Sequence, residues 1–258
     1  MLNARIKDWK GRRVWLIGAS SGIGLALAKT LIARGARVAV SARNAQALHE
    51  LAATTKPANV LALALDATQR DQLEAGFRQM TDAWGGIDLA LFLQGTHEPV
   101  RAWTLDSAVA HRLVDTNLLS VIDALTVVLP RLLQQGAGGV AICSSVAGYR
   151  GLPTSLVYGA TKAALINLAE TLYLDLSPRG IGVWIINPGF VKTPLTDRNE
   201  FKMPALISAE EAAANIVDGL ASGRFEIHFP KRFTRWLKLF RLLPYGIYFR
   251  LIRRTTGL

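Results

Sequence analysis

The chain is short of cysteine, of long uncharged apolar runs and, near its C-terminal end, of acid; each shortage removes a class of protein. Cys143 stands alone, so no intramolecular disulfide forms and a reducing compartment fits. No stretch approaches the roughly 18 uncharged apolar residues of a spanning helix. The first residues, Met1–Arg13, lack the apolar run of a secretory signal. The body is therefore expected to be soluble and cytoplasmic. No internal repeat or low-complexity block is visible. The 258 residues carry a net charge of +11, yet eight Lys and Arg and no acid lie from Lys231 onward, leaving +3 for residues 1–230. That concentration argues against a surface coated for nucleic acid and for one local electrostatic device.

What is present suits one large α/β domain. Half of the residues are hydrophobic, enough for a core that needs no staples. Apolar or β-branched runs at Val14–Ile17, Arg37–Val40, Val60–Leu65, Leu89–Leu93, Val140–Cys143, Gly182–Ile186 and Phe225–Phe229 read as strands. Between them, helical patterns fall near 22–34, 44–54, 69–83, 105–135, 155–176 and 208–221. Such alternation predicts a doubly wound parallel sheet, Rossmann-like, with ligands beyond the carboxyl ends of its strands. The expected division is a catalytic domain at 1–230 and a tail at 231–258.

The first strand runs into Gly18-Ala19-Ser20-Ser21-Gly22-Ile23-Gly24 and then an apolar helix. Glycines permit a tight turn and close approach to a pyrophosphate, which helix N–H groups attract. Its place between first strand and first helix makes this a nucleotide signal. The second strand ends in Ser41-Ala42-Arg43. An acid there would bind a ribose 2′-hydroxyl, whereas arginine suits a 2′-phosphate, so NADP is expected over NAD. Asp66, closing the third strand, either accepts from the adenine amino group or caps the following helix.

Tyr158 and Lys162 stand four apart on one predicted helix, hence on one face. A nearby ammonium is expected to favour the phenolate and draw the phenol toward the working pH range. Ser145 ends the fifth strand, where its hydroxyl reaches a substrate carbonyl oxygen. Asn117, a poor helix former in an apolar run, needs a polar purpose, such as holding a water that links Lys162 to solvent.

With these residues in view, the chain resembles the short-chain dehydrogenase/reductase family in its single-domain form, over residues 10–229. The resemblance rests on the glycine turn, Asn117, Ser144-Ser145 with Ser145 thirteen before the tyrosine, Tyr158-x-x-x-Lys162, and Asn187-Pro188-Gly189. It implies that Ser145 orients the substrate and Tyr158 exchanges the proton. Lys162 also binds the nicotinamide ribose, and Asn117 completes a proton relay. Pro188, Gly189, Val191 and Thr193 shape the nicotinamide pocket, Gly95 belongs to the cofactor floor, Ser144 supports the backbone, and Cys143 is buried. It also implies a homo-dimer or homo-tetramer built on the helices at 105–135 and 155–176. Two departures stand out. Ile17 replaces the usual Thr, and Phe92-Leu93-Gln94-Gly95 replaces Asn-Asn-Ala-Gly; Ile17 and Leu93 are expected to repack as one apolar patch.

The function expected is hydride transfer between nicotinamide and a carbonyl/alcohol pair, in the reductive direction. An apolar substrate fits Leu195, Phe201, Met203, Pro204 and Leu206 in the loop Pro194–Ser208. The rival reading is a nucleotide-dependent sensor or scaffold. In the tail, Phe233, Trp236, Leu237, Phe240 and Leu243 share one helical arc, with Arg232, Arg235, Lys238 and Arg241 opposite. That pattern describes an interfacial helix on anionic lipid, or a helix docked on its own domain or a second subunit. Leu239 and Leu242 stray into the basic half.

Overall fold

A computed structural model describes residues 2–55, 59–197 and 203–256. Seven strands form one parallel sheet: β1 (Arg13–Ile17), β2 (Arg37–Ala42), β3 (Val60–Ala64), β4 (Leu89–Phe92), β5 (Gly139–Cys143), β6 (Gly182–Pro188) and β7 (Glu226–Phe229). Their order is β3-β2-β1-β4-β5-β6-β7. The chain winds outward from β1 and then reverses to β4, so the β1/β4 seam is the switch point where such sheets bind ligands.

The two faces hold separate cores. One packs α1 (Gly22–Ala33), α2 (Ala45–Ala53) and α7 (Ala209–Ser222). The other packs α3 (Arg70–Trp84), α5 (Ser120–Gln135) and α6 (Leu156–Leu176). Strand boundaries match the apolar runs closely, because a strand covered on both faces must be apolar throughout. Helix ends follow local chemistry. Ser208 accepts from Glu211 N (3.0 Å) to start α7, and Gly85, Gly136 and Gly223 close α3, α5 and α7 with positive φ.

Two expectations fail, each for a visible reason. The single helix at 105–135 is three pieces: α4 (Ser107–Val114), a π turn at Asp115–Leu119 holding Asn117, and α5. Extra backbone in a π turn reorients a side chain without ending the helix. The run 107–135 is long and apolar enough to cross a membrane by length and hydropathy, but Val121, Ala124, Leu125, Val128 and Leu132 are buried in the core under the sheet. Nor do Ile17 and Leu93 make one patch. Ile17 lies in the α3/α5/α6 core, whereas Leu93 packs against the α1/α2/α7 core. Ile17 is level with Phe92 across the ladder, and the next residue along a strand points to the opposite face.

The tail forms α8 (Lys231–Arg241) and α9 (Tyr245–Thr256), docked on the domain. Phe233 and Leu237 join the α3/α5/α6 core and Thr234 is buried, so much of the arc that reads as interfacial faces the domain instead. Glu226 on β7 accepts from Tyr149 Oη (2.5 Å), Asn187 Nδ2 (2.9 Å) and Lys238 Nζ. Arg150 donates to the carbonyls of Phe240 (2.8 Å) and Leu243 (2.6 Å) at the end of α8, and lies 4.7 and 4.1 Å from the ring centres of Tyr245 and Tyr248.

Burial raises the Glu226 carboxyl, but the hydrogen bonds from Lys238, Tyr149 and Asn187 outweigh it, so its pKa is lowered. Its stabilising effect is therefore present above the ordinary glutamate range and is lost as pH falls below it. Glu226→Ala strands a phenol and an amide and is expected to cost about 2 kcal/mol in urea unfolding at neutral pH. Lys238→Ala loses a partly exposed partner and should cost less than about 1 kcal/mol.

Candidate active site

The turn after β1 is shaped so that only glycine fits. Gly18 has φ 91°, and a Cβ there would lie 2.6 Å from the Gln94 backbone nitrogen; one at Gly24 would lie 1.9 Å from the Gly18 carbonyl oxygen. Gly22, with φ 52°, would meet Thr193 Cγ2 at 2.8 Å. The chain thereby presents backbone rather than side chains at the start of α1, and the Ser21 side chain makes no cap bond to that first turn. Such a cradle suits a pyrophosphate.

The turn opens on a cavity of about 490 Å³ at the carboxyl edge of the sheet, a size that takes a cofactor. Every residue assigned to the cofactor from sequence lines it: Gly18, Ser20, Ser21, Gly22, Ile23, Gly24, Arg43, Asp66, Gly95, Pro188, Gly189, Val191 and Thr193, with Tyr158 and Lys162. Ser145 lines it as well. Asn117 does not.

At the β2 end of the cavity, Arg43 is exposed, and Asn44 is committed to capping α2 through Ala47 N (3.1 Å). Neither neighbour is an acid. Asp66 does not cap the following helix. Its Oδ1 accepts from Thr68 N (3.0 Å) and Thr68 Oγ1 (2.8 Å), which closes a turn, while α3 starts later, at a Gln69 cap.

At the chemical end, α6 is fastened to the tip of β5. Ser144 Oγ donates to the Lys162 carbonyl (2.7 Å), and Lys162 Nζ donates to the Cys143 carbonyl (3.0 Å). A Cβ at Gly148 would meet the Lys162 carbonyl at 2.7 Å, so the backbone after Ser145 runs hard against α6. Asn117, fully buried, grips the β4 loop: it accepts from Thr96 N (2.7 Å) and donates to Thr96 O (2.9 Å) and Thr161 Oγ1 (3.5 Å). Gly95 is the point of closest approach, since a Cβ there would lie 3.2 Å from Asn117 Oδ1 and 3.5 Å from Lys162 Nζ. The Asn117 amide thus holds the loop that floors the cavity. Cys143, expected to be buried, is only half-buried and stands at the cavity wall.

The electrostatics correct one expectation. Burial pushes the Tyr158 phenol up to about 12, and the neighbouring Ser145 hydroxyl offsets only part of that rise. Burial lowers Lys162, whose ammonium is turned to the Cys143 carbonyl and lies 5.6 Å from the Tyr158 ring centre. Desolvation beats the ammonium here because the cation is not paired directly with the phenol oxygen. At neutral pH the phenol is a proton donor.

Two further residues stand beside these. The His97 ring stands edge-on to Tyr158 at 4.7 Å. Gln94 is buried, donates to Ser120 Oγ (3.2 Å), and has its Oε1 without a protein partner at the cavity wall. Neither has a spacing signal in the sequence. In the loop beyond Val191, Leu195 lines the cavity, Leu206 is exposed, and Phe201 lies outside the described residues.

Known proteins agree with this architecture. The family model described as short chain dehydrogenase matches residues 12–203. An uncharacterized oxidoreductase of Myxococcus xanthus is 33% identical over 94% of this chain and 97% of its own length. Carbonyl reductase family member 4 of Xenopus laevis is 30% identical over 70% of this chain and 76% of its own. A crystal structure of a short chain dehydrogenase/reductase from Burkholderia phymatum, in complex with NAD, superposes with a TM-score of 0.83 at 23% identity, covering 91% of this chain and 94% of that one. With the family model matching most of its length, the chain belongs to the short-chain dehydrogenases, and it is an oxidoreductase of that family.

Proposed function

We propose that this oxidoreductase reduces a carbonyl compound with NADPH, and that the substrate is apolar. The observation that carries this reading is the convergence of Ser145, Tyr158 and Lys162 on the same cavity as the glycine turn. A binding module needs no proton donor there. Bound in this cavity, the nicotinamide supplies the hydride. Ser145 donates a hydrogen bond to the substrate carbonyl oxygen, and Tyr158, protonated at neutral pH, gives that oxygen its proton as negative charge develops on it. Lys162 holds the nicotinamide ribose, Asn117 supports the relay that returns a proton, and Pro188, Gly189, Val191 and Thr193 wall the nicotinamide. Leu195 offers the substrate an apolar contact. Arg43 supplies the charge for a 2′-phosphate, and the carbonyl reductase among the relatives supports the direction.

The same reading makes the chain a homo-dimer or homo-tetramer, with Leu119, Ile122 and Leu133 exposed on or beside α5 and Leu174 on α6. It places the enzyme in the cytoplasm, at the inner face of a membrane reached through residues 231–258, with no nucleic-acid partner.

Tyr158→Phe should lower NADPH oxidation on a carbonyl panel by about 100-fold or more while leaving NADPH affinity, measured by fluorescence titration, unchanged. Turnover retained in that variant overturns the acid assignment. Because the phenol is protonated through neutral pH, reduction should stay level between about pH 6 and about pH 9, whereas alcohol oxidation, which needs the phenolate, should climb across that range. Arg43→Ala should weaken NADP binding by about tenfold, the loss of roughly 1.4 kcal/mol, and leave NAD binding as it was. Equal effects on the two nucleotides would count against the 2′-phosphate contact.

A further inference from the structure

Among the described residues, the docking of the tail leaves a second set of large apolar side chains exposed. Trp236 is 62% exposed, Leu239 49%, Leu242 79%, Tyr245 71% and Phe249 54%. These are not loose ends of chain. The helices that carry them are clamped by Arg150 and Glu226, Thr234 is fully buried beneath α8, and Tyr248 is buried beneath α9, its hydroxyl donating to the Gly151 carbonyl (2.7 Å). At 100° per residue, Lys231, Leu242, Arg235, Leu239, Arg232 and Trp236 of the α8 turns fall in that order across an arc of about 140°. Apolar and basic side chains therefore interleave on the outward face, while Phe233, Thr234 and Leu237 occupy the inward one.

Among the described residues, one cation of this surface is ion-paired. Lys238 is taken by Glu226, but Lys231, Arg232, Arg235, Arg241, Arg250, Arg253 and Arg254 are exposed, and the tail contains no acid. We infer that the outward face of α8 and α9 docks on an anionic phospholipid surface. The inference rests on the membrane-peripheral reading above and deepens it: the lipid-facing side chains are Trp236, Leu239 and Leu242, while Phe233 and Leu237 of the same arc face the domain. Charge complementarity selects this occupant. A second copy of the chain docking by the same face would set cation against cation with no acid between them. A lipid headgroup layer meets the cations with phosphates and accepts Trp and Leu side chains just beneath.

Co-sedimentation of the full chain with vesicles tests this. The chain should pellet with vesicles of phosphatidylcholine and phosphatidylglycerol and stay in solution with phosphatidylcholine alone, and added salt should weaken the binding. The triple variant Trp236→Ser, Leu239→Ser, Leu242→Ser and the pair Arg232→Glu, Arg235→Glu should each reduce binding by about tenfold or more. Their side chains point to solvent, so thermal unfolding should stay as in the parent chain. Equal binding by parent and variants, equal binding to neutral vesicles, or no binding to either overturns the inference. So does a monomer seen in sedimentation velocity only for the triple variant, with no vesicle binding by the parent; a second copy would then be the occupant. The Tyr158→Phe chain should bind vesicles like the parent, so failure of the lipid surface and failure of the enzymatic reading are scored separately.

Discussion

The seam between β5 and α6 is the constraint on which the site depends. The Ser144 hydroxyl holds the Lys162 backbone, and the Lys162 ammonium reaches back to the Cys143 carbonyl, so strand tip and helix are tied from both sides. Between the ties, Gly148 lets the backbone after Ser145 pass against α6 at a distance that any side chain would prevent. Ser145 and Tyr158, thirteen residues apart in sequence, are thereby set on one cavity. Asn117 completes the arrangement from the far side by holding the Gly95-Thr96 backbone against the same ammonium. Three elements meet near Lys162, and each tie joins one side chain to another element's backbone. That is why the polar residues here are so closely specified while the surrounding core is merely apolar.

The sheet and the cavity wall were legible in the sequence because their signals are local. A parallel strand covered on both faces must be a short apolar run, and a glycine turn must use glycine wherever a Cβ would strike backbone. What escaped depends on alternation or on distant partners. Nothing in 105–135 announces a π turn, whose purpose is to aim Asn117 at a loop some twenty residues earlier. Ile17 and Leu93 look like two halves of one substitution until the ladder pairs Ile17 with Phe92 and turns Leu93 to the other face. Helical periodicity also found the apolar arc of α8 correctly, but periodicity carries no information about what an arc covers. Much of that arc was claimed by the domain, and the two leucines that spoiled the pattern are exposed together with Trp236.

The tail is built into the walls of the site as well as onto the fold. Glu226, the anchor for Lys238, also holds Asn187, the residue before Pro188-Gly189. Arg150, which caps the end of α8, lies between Ser145 and Tyr158 in sequence. Phe233 of α8 would be 3.1 Å from a Cβ at Gly189, and its ring lies 5.7 Å from that of Phe190. Both segments flanking the cavity therefore lean on α8. Shape at the Pro188-Gly189 wall of the cavity and the seating of the tail are one packing problem.

That coupling bears on the chemistry through water. The phenol is held protonated by burial rather than by a charged neighbour, so its proton affinity follows how well the cavity is sealed. A phenol raised by desolvation is a weaker acid, and it gives up its proton most readily to an oxygen that is also desolvated, whose developing negative charge has few other donors. A pairing ammonium would stabilise the phenolate, making the phenol a stronger acid and leaving less of it protonated. By directing its ammonium to the Cys143 carbonyl, the β5–α6 seam keeps the charge beside the phenol without placing it on the phenol oxygen. The geometry of one hydrogen bond therefore leaves the phenol in its protonated form at neutral pH.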